Sequence, residues 1–234
     1  MASLNLHCGA DAQGKPYDVA GVIGRLEATV MCLQEDWVPE SASGLTGSDR
    51  VAQAADTLGS RLYRASMRPS VTRRGLGIQA DGGRGELCIS VLTALPVAAY
   101  DVVALGRGPG DSIPRYAQVL RIRVPGGALR LVNTHLSVSV ASPLQLLRLW
   151  RQLRTDALPT VIAGDFNMPA LIARRYAGLT SMVRGGTFPA DQPVVQLDHI
   201  LVSRGIDASC GTVLPHAGSD HRPVWASFQL DRRA

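Results

Sequence analysis

The sequence predicts an α/β protein made of two packed mixed β-sheets flanked by helices. Short strand-like runs rich in β-branched residues outnumber helical patterns along the chain, and helical patterns occur in both halves instead of after every strand. That distribution favours two sheets packed face to face over one open doubly wound sheet. A third observation sets the scale: 234 residues with 46% hydrophobic and 18% charged content suit one domain, residues 1–234, with a sizeable core.

ASLNLH opens with alternation, which puts Asn5 and His7 on one face of a strand and Leu4 and Leu6 on the other. From Asp18, suited to cap a helix, Val19, Val22, Ile23 and Leu26 follow helical spacing, and ATVMCLQE then reads as a strand buried on both faces. Four strand-like pieces follow: GELCISVLTALPV, AAYDVVALG, YAQVLRIRV and ALRLVNTHL, the last two divided by the turn residues PGG. Ser142 as cap and Pro143 in the first turn signal a second helix with Leu144, Leu147 and Leu153 in its apolar stripe. LPTVIAG, VVQLDHILVS and RPVWASFQL complete the strands. Residues 38–50 and 106–114, dense in Gly, Ser, Pro and Asp, are expected to be loops.

No apolar run approaches the length of a membrane span, which is roughly 20 residues. The N-terminus has no basic region followed by a longer apolar segment. The expectation is a soluble, unexported, cytoplasmic protein. Cys8, Cys32, Cys88 and Cys210 form no CxxC pair, which favours buried free thiols in a reducing compartment. The net charge of +5 is compatible with a phosphate-bearing partner. The positive charge is almost all arginine, dispersed, with Lys15 the only lysine, so charge alone selects no partner.

Polar residues recur where apolar runs end: Asn5, Glu35 in CLQED, His135 in NTHL, Asp165 and Asn167 in GDFN, Asp198 in QLDHI, and Asp220 with His221 in GSDHRP. One such residue is ordinarily a cap or a turn former. Their repetition points to a convergent set, because buried carboxylates, amides and imidazoles require a cation or mutual pairing. Hard oxygen donors such as Glu35, Asn5 and Asp220 suit Mg²⁺ or Mn²⁺.

LNLHCG, LQE, NTHL, GDFN, LDHILVS and SDHRPV, in this order and at these approximate intervals, resemble the endonuclease/exonuclease/phosphatase superfamily of metal-dependent phosphoesterases over essentially the whole chain. The resemblance implies a four-layer α/β sandwich with the site at one edge of the two central sheets. It implies Glu35 as principal metal ligand, assisted by Asn5 and by Asp220 from a facing loop. Asp165 would orient and deprotonate the attacking water, and Asn167 would hold the phosphate or that water. His221 would act at the scissile phosphate with Asp198 fixing its tautomer, and His135 would stand on the other side of the phosphate with no identifiable carboxylate partner. Arg115 matches a phosphate-contacting arginine in parts of the family. NLHCG resembles the N-x-H-x-G opening of small bacterial hydrolases, which gives His7 a place near the phosphate. His199 is expected to pack, His216 to be incidental, and Asp36 to be solvated or to cap a loop.

The stretch TFPADQPVVQLDHI lacks the tryptophan of the DNA-repair branch, and TFP and NTHL are closer to branches containing deoxyribonuclease, sphingomyelinases, inositol-phosphate phosphatases and small bacterial hydrolases. The expected substrate is a compact phosphodiester or phosphomonoester, of small-molecule or lipid type. Nucleic acid is the alternative, not favoured because aromatics make up only 5% of residues and stacking platforms are few. A non-catalytic phosphate-ligand binding protein on the same fold is the alternative of another class, disfavoured by the completeness of the set.

Overall fold

A computed structural model describes residues 1–40, 48–78, 83–138 and 140–231. Among the described residues, twelve strands form two six-stranded mixed sheets. The first runs β11 (Ile206–Val213), β12 (Val224–Leu230), β1 (Ala2–Asn5), β2 (Val30–Pro39), β4 (Arg84–Thr93) and β3 (Arg61–Thr72). The second runs β5 (Val97–Gly106), β6 (Arg115–Val124), β7 (Gly127–His135), β8 (Thr160–Asp165), β10 (Asp198–Val202) and β9 (Thr180–Ser181). Each sheet contains one parallel contact, β1 with β2 and β7 with β8, at its centre.

The apolar pattern explains the layering. In β2, Val30 and Cys32 join Leu120, Leu131, Val161 and Ile200 in the core between the sheets, whereas Met31 and Leu33 face the outer helices. Those helices are α1 (Val19–Arg25) and α2 (Arg50–Thr57), which bury Val19, Val22, Ile23, Val51 and Ala54 against the first sheet. On the far side α3 (Ser142–Leu153) and α4 (Ala170–Ala177) cover the second sheet through Leu146, Leu149 and Ala173 packed on Val132, Ile162 and Leu201. The four layers are therefore helices, sheet, sheet and helices.

Asp18 caps α1 by accepting from the Gly21 amide at 2.9 Å. The helix expected from Ser142 is present, but Ser142 lies inside it and Ala141 takes the cap position. Parts of the expected loop 38–50 are regular: β2 continues to Pro39 and α2 starts at Arg50, while residues 41–47 lie outside the described residues. All four cysteines are free, with Cys8, Cys32 and Cys88 buried but Cys210 exposed on β11, which corrects the expectation for that thiol. No helix among the described residues is long and apolar enough to cross a membrane.

The inter-sheet core also contains a polar seam. Gln34 Nε2 on β2 donates to Asn133 Oδ1 on β7 at 2.7 Å, and Asn133 Nδ2 donates to the Leu33 and Ser90 carbonyls and to Gln118 Oε1. These amides are fully buried and satisfy one another, which removes the cost of burying them.

Candidate active site

The expected residues meet at the edge where β1, β7 and β8 end and β10 begins, beside the middle of β2. In the second sheet they form a row across the strands: His135 pairs in register with Asp165, and Asp165 with Asp198. Gly164 makes this row possible. Its φ is +143°, and a Cβ there would collide with the Thr134 carbonyl oxygen.

The first sheet contributes Asn5 from the end of β1 and Glu35 from β2. Glu35 does not end its strand, as its sequence position suggests. Between the pairs Leu33–Ser90 and Asp36–Cys88, β2 uses one residue more than β4. Glu35 takes φ +51° in this bulge. The bulge re-aims the carboxylate toward the mouth, where the side chain is 20% exposed. Its neighbour Asp36 is buried and bonded to Arg64 Nε at 2.7 Å and to Ser90 Oγ, so it neither meets solvent nor caps a loop.

Asp165 is the meeting point. Its Oδ2 accepts from Asn5 Nδ2 at 3.0 Å and lies 3.5 Å from His135 Nε2 and 3.8 Å from His221 Nε2. Its Oδ1 accepts the Asn167 backbone N–H at 2.8 Å, which holds the carboxylate plane against its own turn. Asn5 Nδ2 also reaches Glu35 Oε1 at 3.4 Å, linking the two carboxylates.

The two imidazoles are opposites. His221 Nδ1 bonds Asp198 Oδ2 at 2.8 Å, with Phe188 packed 4.9 Å from the ring. Burial lowers the His221 pKa, but the charges of Asp198, Asp165 and Asp220 outweigh it and raise the group to about 10. His135 is driven the other way, to about 3, by burial first and by the nearby Arg115 guanidinium second. Being neutral, it accepts at Nε2 from Asn167 Nδ2 at 3.2 Å, so its proton sits on Nδ1. That buried Nδ1 has no hydrogen-bond partner, and Glu35 Oε1, at 3.9 Å, is its nearby carboxylate.

Several expected residues are placed differently in detail. Asn167, at φ +50°, gives its amide hydrogens to His135 and to the Leu136 carbonyl. Arg115 is buried and paired with Asp111 at 2.8 Å. His7 lies past β1 in a short 3-10 turn, 3.6 Å from Asp220 Oδ1 and with Nδ1 3.1 Å from the Ala10 carbonyl. His199 packs as expected, stacked on Phe166 and bonded to the Met168 carbonyl at 2.9 Å. His216 bonds the Ser219 carbonyl at the rim.

Asp111, Phe188 and Ser219 escaped the sequence reading as site residues. Ser219 Oγ donates to the Asn5 carbonyl at 2.6 Å and so ties the Asp220–His221 loop to β1. Ser219 is itself the serine of the SDH segment, which was the one available signal.

Oxygen donors fit a hard cation here. Burial, together with the Asp220 and Asp165 charges, raises Glu35 above the ordinary carboxylate range despite His7 and His221, a repulsion that a divalent ion relieves. Asp165, Asp198 and His221 also offer ligand atoms within 4.8 Å of one another. Because His221 and Asp198 already satisfy each other, that trio suits proton handling better than metal binding.

The model of the Endonuclease/Exonuclease/phosphatase family matches residues 2–221. The chain belongs to this family. Proteins of this family are divalent-metal dependent, and the chain is a phosphoester hydrolase. A family protein from Beutenbergia cavernae shares the fold at TM-score 0.77 and 20% identity, over 98% of this chain and 70% of that one. A mannosyl-6-phosphatase from Bacteroides thetaiotaomicron superposes at TM-score 0.66 and 15% identity, over 91% and 89% of the two chains. The human Nocturnin catalytic domain with bound sulfate does so at 0.69 and 15%, over 99% and 93%. Among curated proteins none matches.

Proposed function

We propose that the protein hydrolyses a compact phosphodiester or phosphomonoester with water activated by Asp165, using Mg²⁺ or Mn²⁺ held by Glu35, Asn5 and Asp220. The observation that carries this reading is the position of Asp165 Oδ2, between a neutral imidazole and a protonated one and bridged by Asn5 to Glu35. The cation, when bound, neutralises nonbridging phosphate oxygens and the leaving oxygen.

Each side chain then has a task. Asp165 takes the proton of the attacking water, held in place by the Asn5 amide and the Asn167 N–H. His221 presents a charged Nε2–H to the phosphate oxygens, with Asp198 fixing its other nitrogen. His135, neutral and oriented by Asn167, stands 3.5 Å from Asp165 without repelling the charged His221. Arg115, held by its pairing with Asp111, supplies positive field near the phosphate, and the His7 imidazole contacts the substrate from the loop beyond β1. The mannosyl-6-phosphatase among the similar structures supports a small phosphate ester as substrate.

The net charge of +5 favours DNA as the second reading. Hydrolysis of a chromogenic phosphodiester, its monoester and supercoiled DNA, each with Mg²⁺, Mn²⁺ or chelator, separates the two. Metal-dependent turnover of a small ester that drops by about 10²–10⁴-fold in Asp165→Ala is expected. Rapid DNA cleavage with the small esters untouched would overturn it. Metal binding without turnover of any ester would instead point to a phosphate-ligand binding protein.

A further inference from the structure

Eight large hydrophobic side chains are exposed among the described residues, and six gather at one edge: Val138, Val140, Leu144, Leu171, Ile172 and Val194. Four of them are far out of the protein, with exposures of 74% for Val138, 86% for Val140, 77% for Leu171 and 84% for Val194. The topology places them together. β7 and β8 are parallel neighbours, so the segments leaving His135 and Asp165 emerge side by side, one leading into α3 and the other into α4. Val194 lies on the turn between Phe188, which packs on His221, and Asp198. The apolar rim thus lies along the second-sheet side of the candidate active site.

Charge behind the rim has one sign. Residues 136–155 and 166–190 contain no Asp or Glu, but they carry Arg148, Arg151, Arg154, Arg174, Arg175 and Arg184. On α3, Leu144, Arg148 and Arg151 follow at i, i+4 and i+7, and all three are exposed. On α4, Leu171 and the exposed Arg175 stand one turn apart. Aliphatic tips at the mouth with arginines one and two turns back match the two zones of a bilayer surface: apolar groups enter the acyl boundary while guanidiniums reach anionic headgroups. Outside the candidate catalytic set, the carboxylates beside these segments are paired: Asp191 with His216 at 3.3 Å, Asp111 with Arg115 at 2.8 Å and Asp156 with Arg130 at 2.7 Å.

We infer that this rim seats the enzyme on an anionic lipid bilayer, so that the phosphoester it cleaves is taken from the membrane surface. The choice of substrate rests on the proposed phosphoesterase activity; the docking surface does not. A protein surrounded by water gains nothing by exposing six aliphatic side chains on one side of its candidate site, whereas a bilayer covers them and brings the ester to Asp165 without a long diffusive search.

Sedimentation of the full chain with vesicles of phosphatidylcholine alone, or of phosphatidylcholine mixed with phosphatidylglycerol, tests this. Wild type is expected to pellet with the mixed vesicles and to bind them at least about tenfold more tightly than neutral ones, an advantage that salt removes. Val138→Ser combined with Leu171→Ser, and separately Arg148→Gln combined with Arg175→Gln, are each expected to weaken binding by about tenfold or more. Their circular dichroism and their turnover of a soluble chromogenic diester should remain those of wild type. Asp165→Asn should bind vesicles normally, so an inactive protein still reports on docking. The inference is overturned if wild type stays in the supernatant with both vesicles or if the variants bind as wild type does. It is equally overturned if wild type is a dimer that the Val138/Leu171 variant converts to monomer, which would assign the rim to a second copy.

Discussion

Glu35 and Asp36 are consecutive carboxylates with separate destinations, one turned to the active-site mouth by a bulge and the other locked inside against Arg64. Glu35→Ala is therefore expected to abolish metal-dependent turnover while leaving the urea unfolding midpoint nearly unchanged. Asp36→Ala should instead lower stability, by about 2 kcal/mol, because a buried ion pair loses one member and the Ser90 hydroxyl loses its acceptor. The loss stays moderate because Arg64 keeps Asp49, whose Oδ2 accepts from Nη1 at 2.8 Å. Paired urea melts and turnover rates on the two variants check both halves.

The histidines should titrate in opposite directions in chelator-treated protein. His221 is raised from 6.5 to about 10, so the native state holds a proton that the unfolded chain releases. Its stabilising contribution is full below pH 6.5 and is lost as pH rises through about 10. His135, lowered to about 3, stays neutral where the unfolded chain binds a proton, and it destabilises progressively as pH falls below 6.5. Nitrogen NMR shifts of the two rings give the readout: Asp198→Asn should lower the His221 midpoint and leave His135 neutral across the neutral range.

Gly164→Ala is expected to destabilise by about 3 kcal/mol or more, since backbone must move to admit a side chain. The obstacle is the Thr134 carbonyl on the neighbouring strand, which occupies the place of the new Cβ. Because Asp165 is the next residue, any folded fraction should also lose activity out of proportion to its amount. Thermal melts normalised against turnover distinguish the two effects.

Mn²⁺ at about 100 times its dissociation constant should raise stability by roughly 2.7 kcal/mol, and chelator should remove the gain. In Glu35→Gln the gain should vanish or shrink strongly, whereas Asp198→Asn should keep most of it. Equal gains in both variants would move the metal toward the Asp165–Asp198–His221 trio.

Much of the site was legible because each of its residues ends or follows a buried run, and a strand end is a place that sequence periodicity reveals. The Glu35 bulge was not, since a left-handed glutamate looks like any other glutamate in CLQED. The Asp36–Arg64 pair spans 28 residues and has no local signature. The edge strand β3 was missed because RLYRASMRPSVT carries Pro69 and is unevenly buried. α4 hid for a reason tied to the rim: Leu171 and Ile172 are exposed, so they blur the stripe that marks a core-facing helix.

The Gln34–Asn133 amide bridge has a further consequence. Gln34 adjoins Glu35, and Asn133 stands two residues before His135, so one 2.7 Å contact indexes the two halves of the candidate site like a dowel between two plates. Sliding either sheet by a single residue would strand several buried amides at once, a penalty far above thermal energy. The gap into which a phosphate must fit is accordingly machined deep in the interior, and surface loops can vary in length without changing its width.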